Sequence, residues 1–333
     1  MICRFRDLTF AERHIRVSQK ILDHPVFFDL AGRVAYPVRK DYNMLYQEIY
    51  GFLESNGAGC REILSGGERF ILARTHIAGK CRSIYILPAE TDAGSFVEAE
   101  EKYLKRQEAK KMLSAGNEDA DIITVAEDRW RSRSCIYGPR LLSHLGIFRP
   151  VYARNCEARR TDRKTAGLFL SENHSYGMSV CRYCYALYEK GNTMPSGAAT
   201  FSNARKWIKD GQEIRSYEWV RYASSPGTRI LGGMGKVLAR FIEEIRPDDI
   251  MSYADMEWSD GKVYTKLGFI EDGAKAPVLF EISPEDWSRK AVRQRPSAPE
   301  AGNPGKLYFM NDGSRKYRLK LTGYRTTSRQ DRR

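Results

Sequence analysis

The sequence contains no run of about 18 apolar residues, the length a membrane-spanning helix needs. Its opening, Met1-Ile2-Cys3-Arg4-Phe5-Arg6-Asp7, is charged too early to begin a signal-peptide apolar segment. These absences predict a chain that works in the cytoplasm with no membrane contact. A disulfide framework is also missing, because seven cysteines scattered through 333 residues form an odd, widely spaced set. Only Cys181 and Cys184 have metal-like spacing, and no second CxxC or HxxxH pair follows them, so ordinary reduced thiols are expected and no metal. The sequence has no internal repeat and no GxxxxGK[ST] phosphate loop, and its one glycine cluster lacks the full GxGxxG pattern of dinucleotide folds.

Enough apolar material is present for a large core, since 42% of the residues are hydrophobic, and the length fits two folded units. Positive charge is concentrated at one end. Residues 289–333 carry 13 Lys plus Arg against 3 Asp plus Glu, a net of +10, which leaves +3 of the chain's +13 for everything before them. Arg293, Arg295, Lys306, Arg315, Lys316, Arg318, Lys320, Arg325 and Arg329 alternate there with Tyr308, Phe309, Tyr317 and Tyr324. Cations for phosphates and rings for bases are what a nucleic-acid contact uses, while a solvated terminus is the plainer reading. With the Pro, Ala and Gly of 293–305, the segment reads as a linker and basic tail.

Helix and strand alternate along the rest. A helix is expected over Asp41 to Glu54, strands over Arg69 to Ile77 and Ser83 to Leu87, a charged helix over Glu98 to Ala115, and a buried strand over Ile122 to Val125. A second series begins at Val151: strand Tyr152 to Arg159, helix Thr165 to Glu172 capped by Asp162, and strands Cys181 to Tyr188, Ser196 to Ser202 and Arg215 to Tyr222. Helix Lys236 to Ile245, strand Ile250 to Asp255, a short helix near Val263 and strand Val278 to Ile282 complete it. The expected class is therefore α/β, with a mixed central sheet in residues 150–288, a second mixed αβ domain in 1–149 and the tail in 289–333.

Between strand and helix lies Arg229-Ile-Leu-Gly232-Gly233-Met-Gly235-Lys236. Glycines let backbone N–H groups turn toward an anion, and the helix N-terminus adds partial positive charge, so a phosphate-bearing cofactor is a natural guest. A tight turn needing positive φ is the alternative. Downstream stand Ser252-Tyr253-Ala254-Asp255 and Val263-Tyr264-Thr265-Lys266-Leu267-Gly268-Phe269.

Strand, glycine turn, helix and the YxxLGF sequence together resemble the cofactor half of GNAT acyl-CoA-dependent N-acyltransferases, over about 130 residues. The resemblance implies acetyl-CoA or another acyl-CoA as cofactor, with Gly233, Gly235 and Lys236 facing its pyrophosphate and Tyr264 protonating the departing thiolate. Gly268 and Phe269 would be structural. The family's basic or Gln residue three positions before the first loop glycine is Ile230 if that glycine is Gly233, and Arg229 if it is Gly232.

Physical chemistry supports Tyr264 independently, because a phenol with a pKa near 10 can give a proton to a thiolate whose acid has a pKa near 8.5. Capping a core is its plainer role. Glu218 and Asp255 are candidate general bases for an amine acceptor, although Glu218 can instead pair with Arg215 or Arg221, and Asp255 can cap the turn into Trp258-Ser259-Asp260-Gly261. His174, in the polar His-Ser-Tyr-Gly loop after its helix, is a candidate at the acceptor side or a hydrogen-bonded structural residue.

A second resemblance reaches wider. Val151 to Cys156, Phe169 to Gly177, Glu218 to Tyr222 and Ser252 to Asp255 look like the GNAT-like module that follows a nuclease domain in phage homing endonucleases of the EDxHD type, relatives of very-short-patch-repair endonucleases. Thr124 to Trp130 resembles the closing strand of that nuclease fold, with Glu127 and Asp128 as Mg²⁺ ligands or an exposed strand-end pair. The upstream carboxylate and histidine set is missing, so the first domain reads either as a degenerate nuclease or as a different αβ domain. The Ser252-Tyr-Ala-Asp255 block also resembles Mom-like DNA-modification proteins, which implies a nucleobase amine as an alternative to a small-molecule acceptor. An acyl-CoA N-acyltransferase is the leading expectation, and a phage or mobile-element DNA-binding or DNA-modifying protein the alternative.

Overall fold

The computed structural model describes residues 38–76, 79–89, 96–115, 121–209, 211–293 and 306–322. The fold is mixed α/β, divided into two compact units: residues 1–146 with 278–311, and 147–277 with 312–333. The chain thus leaves the first unit once, returns to it, and crosses back. Expected boundaries at 149 and 288 do not anticipate this exchange, and the cause lies in the supposed tail.

In the first unit, helix α1 (Val38–Ser55) precedes β1 (Ala58–Ser65), β2 (Glu68–Thr75) and β3 (Cys81–Leu87). Helix α2 (Phe96–Ala115) then leads to β4 (Ile122–Ala126) and helix α3 (Glu127–His144). The sheet order is β1-β2-β3-β4, antiparallel except for the β3–β4 pair, whose connection through α2 is the crossover that a parallel pair requires.

The second unit begins with β5 (Arg149–Tyr152), a 3-10 turn at Ala153–Asn155 and β6 (Cys156–Arg160), so the single strand expected from Tyr152 to Arg159 is broken. Helix α4 (Arg163–Asn173) follows, with Asp162 accepting a hydrogen bond from the Thr165 amide as the expected cap. Next come β7 (Tyr183–Glu189), β8 (Gly197–Phe201), β9 (Arg205–Lys209), β10 (Gln212–Ser224) and β11 (Thr228–Leu231). Helix α5 (Gly233–Ile245), β12 (Asp249–Asp255), helix α6 (Lys262–Lys266) and β13 (Ile270–Lys275) complete the series.

Strands β14 (Leu279–Ile282), β15 (Arg289–Ala291) and β16 (Leu307–Met310) then form a small sheet in the first unit, in the order β15-β14-β16. Strand β14, expected as the last strand of the second series, therefore belongs to the first. Ile282, Leu307 and Phe309 join Phe70, Tyr85 and Leu87 in one apolar core. Arg289 forms a bidentate pair with Asp128, both nitrogen to oxygen distances being 2.7 Å, while its guanidinium lies 4.8 Å from the Phe280 and Phe309 ring centres.

That pair corrects the reading of Glu127 and Asp128. They lie in the first turn of α3, not at an exposed strand end, and Asp128 is 0% and Glu127 5% exposed. Glu127 accepts from the Ala89 amide at 3.0 Å. A buried carboxylate needs such partners, and among the described residues no group of three or more His, Cys, Asp or Glu comes together as a metal site.

Strand β17 (Ser314–Lys320) returns to the second unit and inserts between β13 and β12, giving the order β13-β17-β12-β10-β8-β7-β6 with β9 paired to β10. A stretch expected to be solvated tail is thus an interior strand. Three of its four cations are matched by carboxylates on neighbouring elements: Arg318 with Asp249 and Asp272, both at 2.7 Å, Lys316 with Asp272 at 2.8 Å, and Arg315 with Glu271 at 3.6 Å, while Lys320 is exposed. Composition registers the cations but not which strand supplies their partners. Arg295, Tyr324, Arg325 and Arg329 lie outside the described residues.

Aromatic packing holds α5 on one face of this sheet. Phe241 stacks on Phe201 with ring centres 3.8 Å apart, and Tyr183, Tyr185 and Tyr217 meet it edge-on. Helix α4 packs on the opposite face through Phe169 and Leu170 against Ala198 and Ala223. No helix among the described residues is long and apolar enough to cross a membrane.

Candidate active site

The sheet's central irregularity lies where β10 meets β12. These strands pair in parallel only from Ser216 to Glu218 against Asp249 to Met251. Beyond that point β10 stays with β8, through a register shift between Trp219 and Arg221, while β12 stays with β17 along its whole length to Asp255. A bulge bends its strand, so the two strands part and stop exchanging ladder hydrogen bonds.

Buried Ser252 stands at the fork. Its Oγ lies 2.9 Å from the Trp219 carbonyl and 2.9 Å from the Tyr264 hydroxyl. A serine hydroxyl has one proton, so Ser252 serves the Trp219 carbonyl and the phenol oxygen in turn, and when it donates to the phenol the Tyr264 proton is left for another acceptor. Tyr264 also reaches the Tyr253 carbonyl at 3.4 Å and stacks on Tyr317 with ring centres 5.2 Å apart. Burial pushes the phenol's pKa above its ordinary value of 10.0, Tyr317 adds to this, and the Ser252 hydrogen bond opposes it. Tyr264 is therefore a protonated group at neutral pH, set at the mouth of the fork by a short helix whose amides bond back to Gly261 and Tyr264.

The glycine segment lies on the same face as Tyr264. Gly232 adopts φ 79°, a left-handed conformation suited to glycine, and is the N-cap of α5. With no side chain there, the helix has no side-chain cap to accept from its first amides. Gly233 is buried, and a Cβ there would come 2.5 Å from the Tyr222 hydroxyl and 2.8 Å from Ile230, so the chain can turn here only with glycine. Above Gly235 the nearest neighbour, Leu267, is 3.4 Å away.

Ile230 sits in the core and Arg229 is exposed, with its guanidinium 5.5 Å from the centre of the Phe148 ring. The Lys236 ammonium donates to the Ala153 carbonyl at 2.8 Å, so it ties the 3-10 turn to α5. Beneath the loop, the Tyr222 hydroxyl is buried without a hydrogen-bond partner, and burial drives its pKa upward.

Glu218, Tyr253 and Asp255 belong to the other face of the fork. Asp255 accepts from the Tyr176 hydroxyl at 3.2 Å and from the Glu257 amide at 3.1 Å, and its carbonyl accepts from the Trp258 and Ser259 amides. The turn-capping reading of Asp255 therefore holds. Glu218 pairs with neither Arg215 nor Arg221. Arg215 goes to Asp248 at 3.5 Å, and the Arg221 Nε donates to the Gly177 carbonyl at 3.3 Å.

His174 is the C-cap of α4, and its Nδ1 accepts from the Tyr176 amide at 3.0 Å, which fixes that nitrogen as an acceptor. Its contribution is to shape the loop that delivers Tyr176. Tyr176 and Ser252 were not singled out from the sequence. Period-two alternation along β12 contains the signal for Ser252, since it puts Ser252 and Ala254 on one face and Tyr253 and Asp255 on the other. Tyr176 has no comparable local signal.

No family model matches the sequence, and no curated protein matches it. Among solved structures, the chain is similar to the NatC complex bound to Gag peptide and CoA, at 12% identity over 50% of this chain and 99% of that one, with a TM-score of 0.31. It is also similar to the ribosomal-protein-S5-alanine acetyltransferase of Vibrio fischeri, at 10% identity over 52% and 96% of the two chains, with a TM-score of 0.31. A GNAT-family acetyltransferase of Bacillus cereus overlaps at 13% identity over 50% and 96%, with a TM-score of 0.26.

Proposed function

We propose that the second unit is an acyl-CoA-dependent N-acyltransferase of GNAT type. The observation that carries this reading is the fork between β10 and β12, with a protonated phenol on one face and a carboxylate on the other. An open, uncapped helix N-terminus lies on the phenol's side. The residues fit an acyl-CoA. The first amides of α5, free of a side-chain cap, supply donors and helix-dipole charge for a diphosphate, and Gly235 leaves room for close approach. Bound there, the cofactor supplies an activated thioester.

This chain's groups would do the rest. An amine entering from the Glu218 face forms the C–N bond and gives its proton to that carboxylate, while the C–S bond breaks and the departing sulfur takes the Tyr264 proton. Ser252 keeps the phenol aimed at the fork, and Tyr176 borders the acceptor. Gly232, Gly233 and Gly235 frame the diphosphate. Lys236 supports the loop through Ala153, and Arg229 contributes positive field beside it. A proton donor and a carboxylate on opposite faces of the fork match direct attack with both substrates bound. The cytoplasm is the compartment this reading favours, given its acyl-CoA.

Calorimetry with acetyl-CoA tests the proposal, using the full chain and its Gly232→Asp variant. Asp tolerates the left-handed conformation and is a good N-cap, so the fold should survive, but its charge repels a diphosphate. Binding that drops at least tenfold in the variant is expected. No binding of acetyl-CoA at high micromolar concentration, or equal binding by both proteins, would overturn the reading.

A further inference from the structure

We infer that the outer edge of the second unit's sheet, from the 3-10 turn along β6 to the first turn of α4, is a nucleic-acid binding surface, distinct from the 289–333 segment and independent of acyl transfer. Strand β6 is the last strand of its sheet, so one side of its backbone has no strand partner. Arg154, Arg159, Arg160, Arg163, Lys164 and Arg182 are all exposed along or beside it. The antiparallel register sets Arg160 opposite Tyr185, and the Thr161 amide bonds to the Cys184 carbonyl, which brings Arg182 beside the start of α4.

Little opposes this charge. Arg154, Arg163, Lys164 and Arg182 have no ion-pair partner among the described residues. Arg159 and Arg160 pair with Glu157 and Glu244, but their side chains remain 59% and 50% exposed. Asp162, held ionised by the Thr165 amide and hydroxyl in the helix cap, and Glu189, paired with Arg149, leave the cations in excess along this edge. In β17, by contrast, all the cations but Lys320 are matched to carboxylates in the sheet.

Aromatic rings lie under three of these guanidinium groups. Arg154 sits 4.9 Å from the Tyr152 ring centre, Arg159 5.3 Å from Tyr188 and Arg160 5.2 Å from Tyr183. A guanidinium beside a ring can still give N–H groups to phosphate, all of them at Arg154 as far as carboxylates go, and those not already given to Glu157 and Glu244 at Arg159 and Arg160. Along β6, from Cys156 to Arg160, the chain runs about 13 Å at strand rise, enough to follow about two successive phosphates. Arg159 and Arg160 project to opposite faces of the edge strand, and cations spread along an edge in this way suit a phosphodiester chain better than a single small anion.

Fluorescence anisotropy of the full chain with a labelled oligonucleotide of about 20 nucleotides tests this, across a salt series and with single-stranded and duplex probes. The variant is Arg163→Glu, Lys164→Glu and Arg182→Glu combined. Acidic residues suit the first turn of a helix, so α4 should persist, which circular dichroism checks. A matched control reverses Arg61, Lys105 and Lys111 to Glu in the first unit.

Loss of about tenfold or more in affinity for the edge variant is expected, with the slope of log affinity against log salt shallower by about 2. The control and the Arg163→Lys, Arg182→Lys variant should bind like the parent. The inference fails if the parent does not bind at about 50 mM salt, if both reversals weaken binding equally, or if the edge reversal changes nothing. It also fails if the edge variant loses binding to phosphatidylserine vesicles while oligonucleotide binding is unchanged.

Discussion

The two faces of the β10–β12 fork are built from opposite materials. On one, Tyr264 is wedged among Tyr317, Phe269 and Ser252, and its hydroxyl has a short list of partners at fixed distances. On the other, Glu218, Tyr176, Asp255 and Tyr253 meet Arg221 and Lys275, with the Lys275 ammonium 3.5 Å from the Tyr253 ring centre. A dry, packed face can hold a proton donor in one orientation, whereas a polar face built partly on a loop can admit a varied amine. Under the proposed acyl transfer, the contrast would give the fixed step, protonation of sulfur, to one side and acceptor choice to the other.

Removing the phenol should have the largest effect. Tyr264→Phe keeps the ring contacts, so acetyl-CoA affinity should hold while kcat for thiol release against a panel of primary amines falls by about 100-fold. The sign of its pH dependence follows from burial. Because the phenol's pKa lies above 10.0 in the fold, activity should not lose an alkaline limb to Tyr264 until the pH exceeds that value. A limb at lower pH that is unchanged in Tyr264→Phe would assign the titration to another group. Equal loss of cofactor binding and turnover would make Tyr264 a packing residue.

Glu218→Gln tests the other face and should come next, with kcat/KM for the amine reduced by about 10 to 100-fold and acetyl-CoA binding unaffected. Supplying the amine at higher pH, where more of it is unprotonated, should restore part of the rate. Failure of alkaline conditions to recover any activity would take the general-base role away from Glu218.

Much of this contrast was legible in the sequence, and the illegible parts have a common cause. Glycine spacing before an amphipathic segment located α5, and a tyrosine ahead of Leu-Gly-Phe located α6, because both depend on local backbone rules. Asp162 was recognisable as a cap for the same reason. Strand β17 was not, since Arg315, Lys316 and Arg318 look solvated until Asp249, Asp272 and Glu271 arrive from other elements. Asp128 misled in the same way, its partner Arg289 being 161 residues distant. The fork itself depends on where pairing between β10 and β12 stops, which is a property of two strands and of neither sequence alone.

A smaller effect is expected from Ser252→Ala. The hydroxyl gives the Trp219 carbonyl its partner at the point where the ladder ends, and its loss leaves that buried oxygen unpaired at a cost of about 1 to 3 kcal/mol in stability. Catalytically it removes the hydrogen bond that holds Tyr264 in line and lowers the phenol's pKa, so kcat should fall by about tenfold. Any alkaline limb belonging to Tyr264 should move further upward. Ser252→Thr keeps the hydroxyl and should recover most of the rate if the added methyl fits.

The smallest change should come from Tyr176→Phe, which removes only the 3.2 Å hydrogen bond to Asp255. Tyr176 is 41% exposed, and Asp255 keeps the Glu257 amide, so neither fold nor cofactor binding should respond measurably. What should respond is KM for the amine, by about two- to fivefold, because the bond links the loop after α4 to the end of β12 and so shapes the acceptor's entrance. If the substitution instead lowered kcat with KM unchanged, the loop would belong to the chemical step, and the division of labour between the two faces would have to be redrawn.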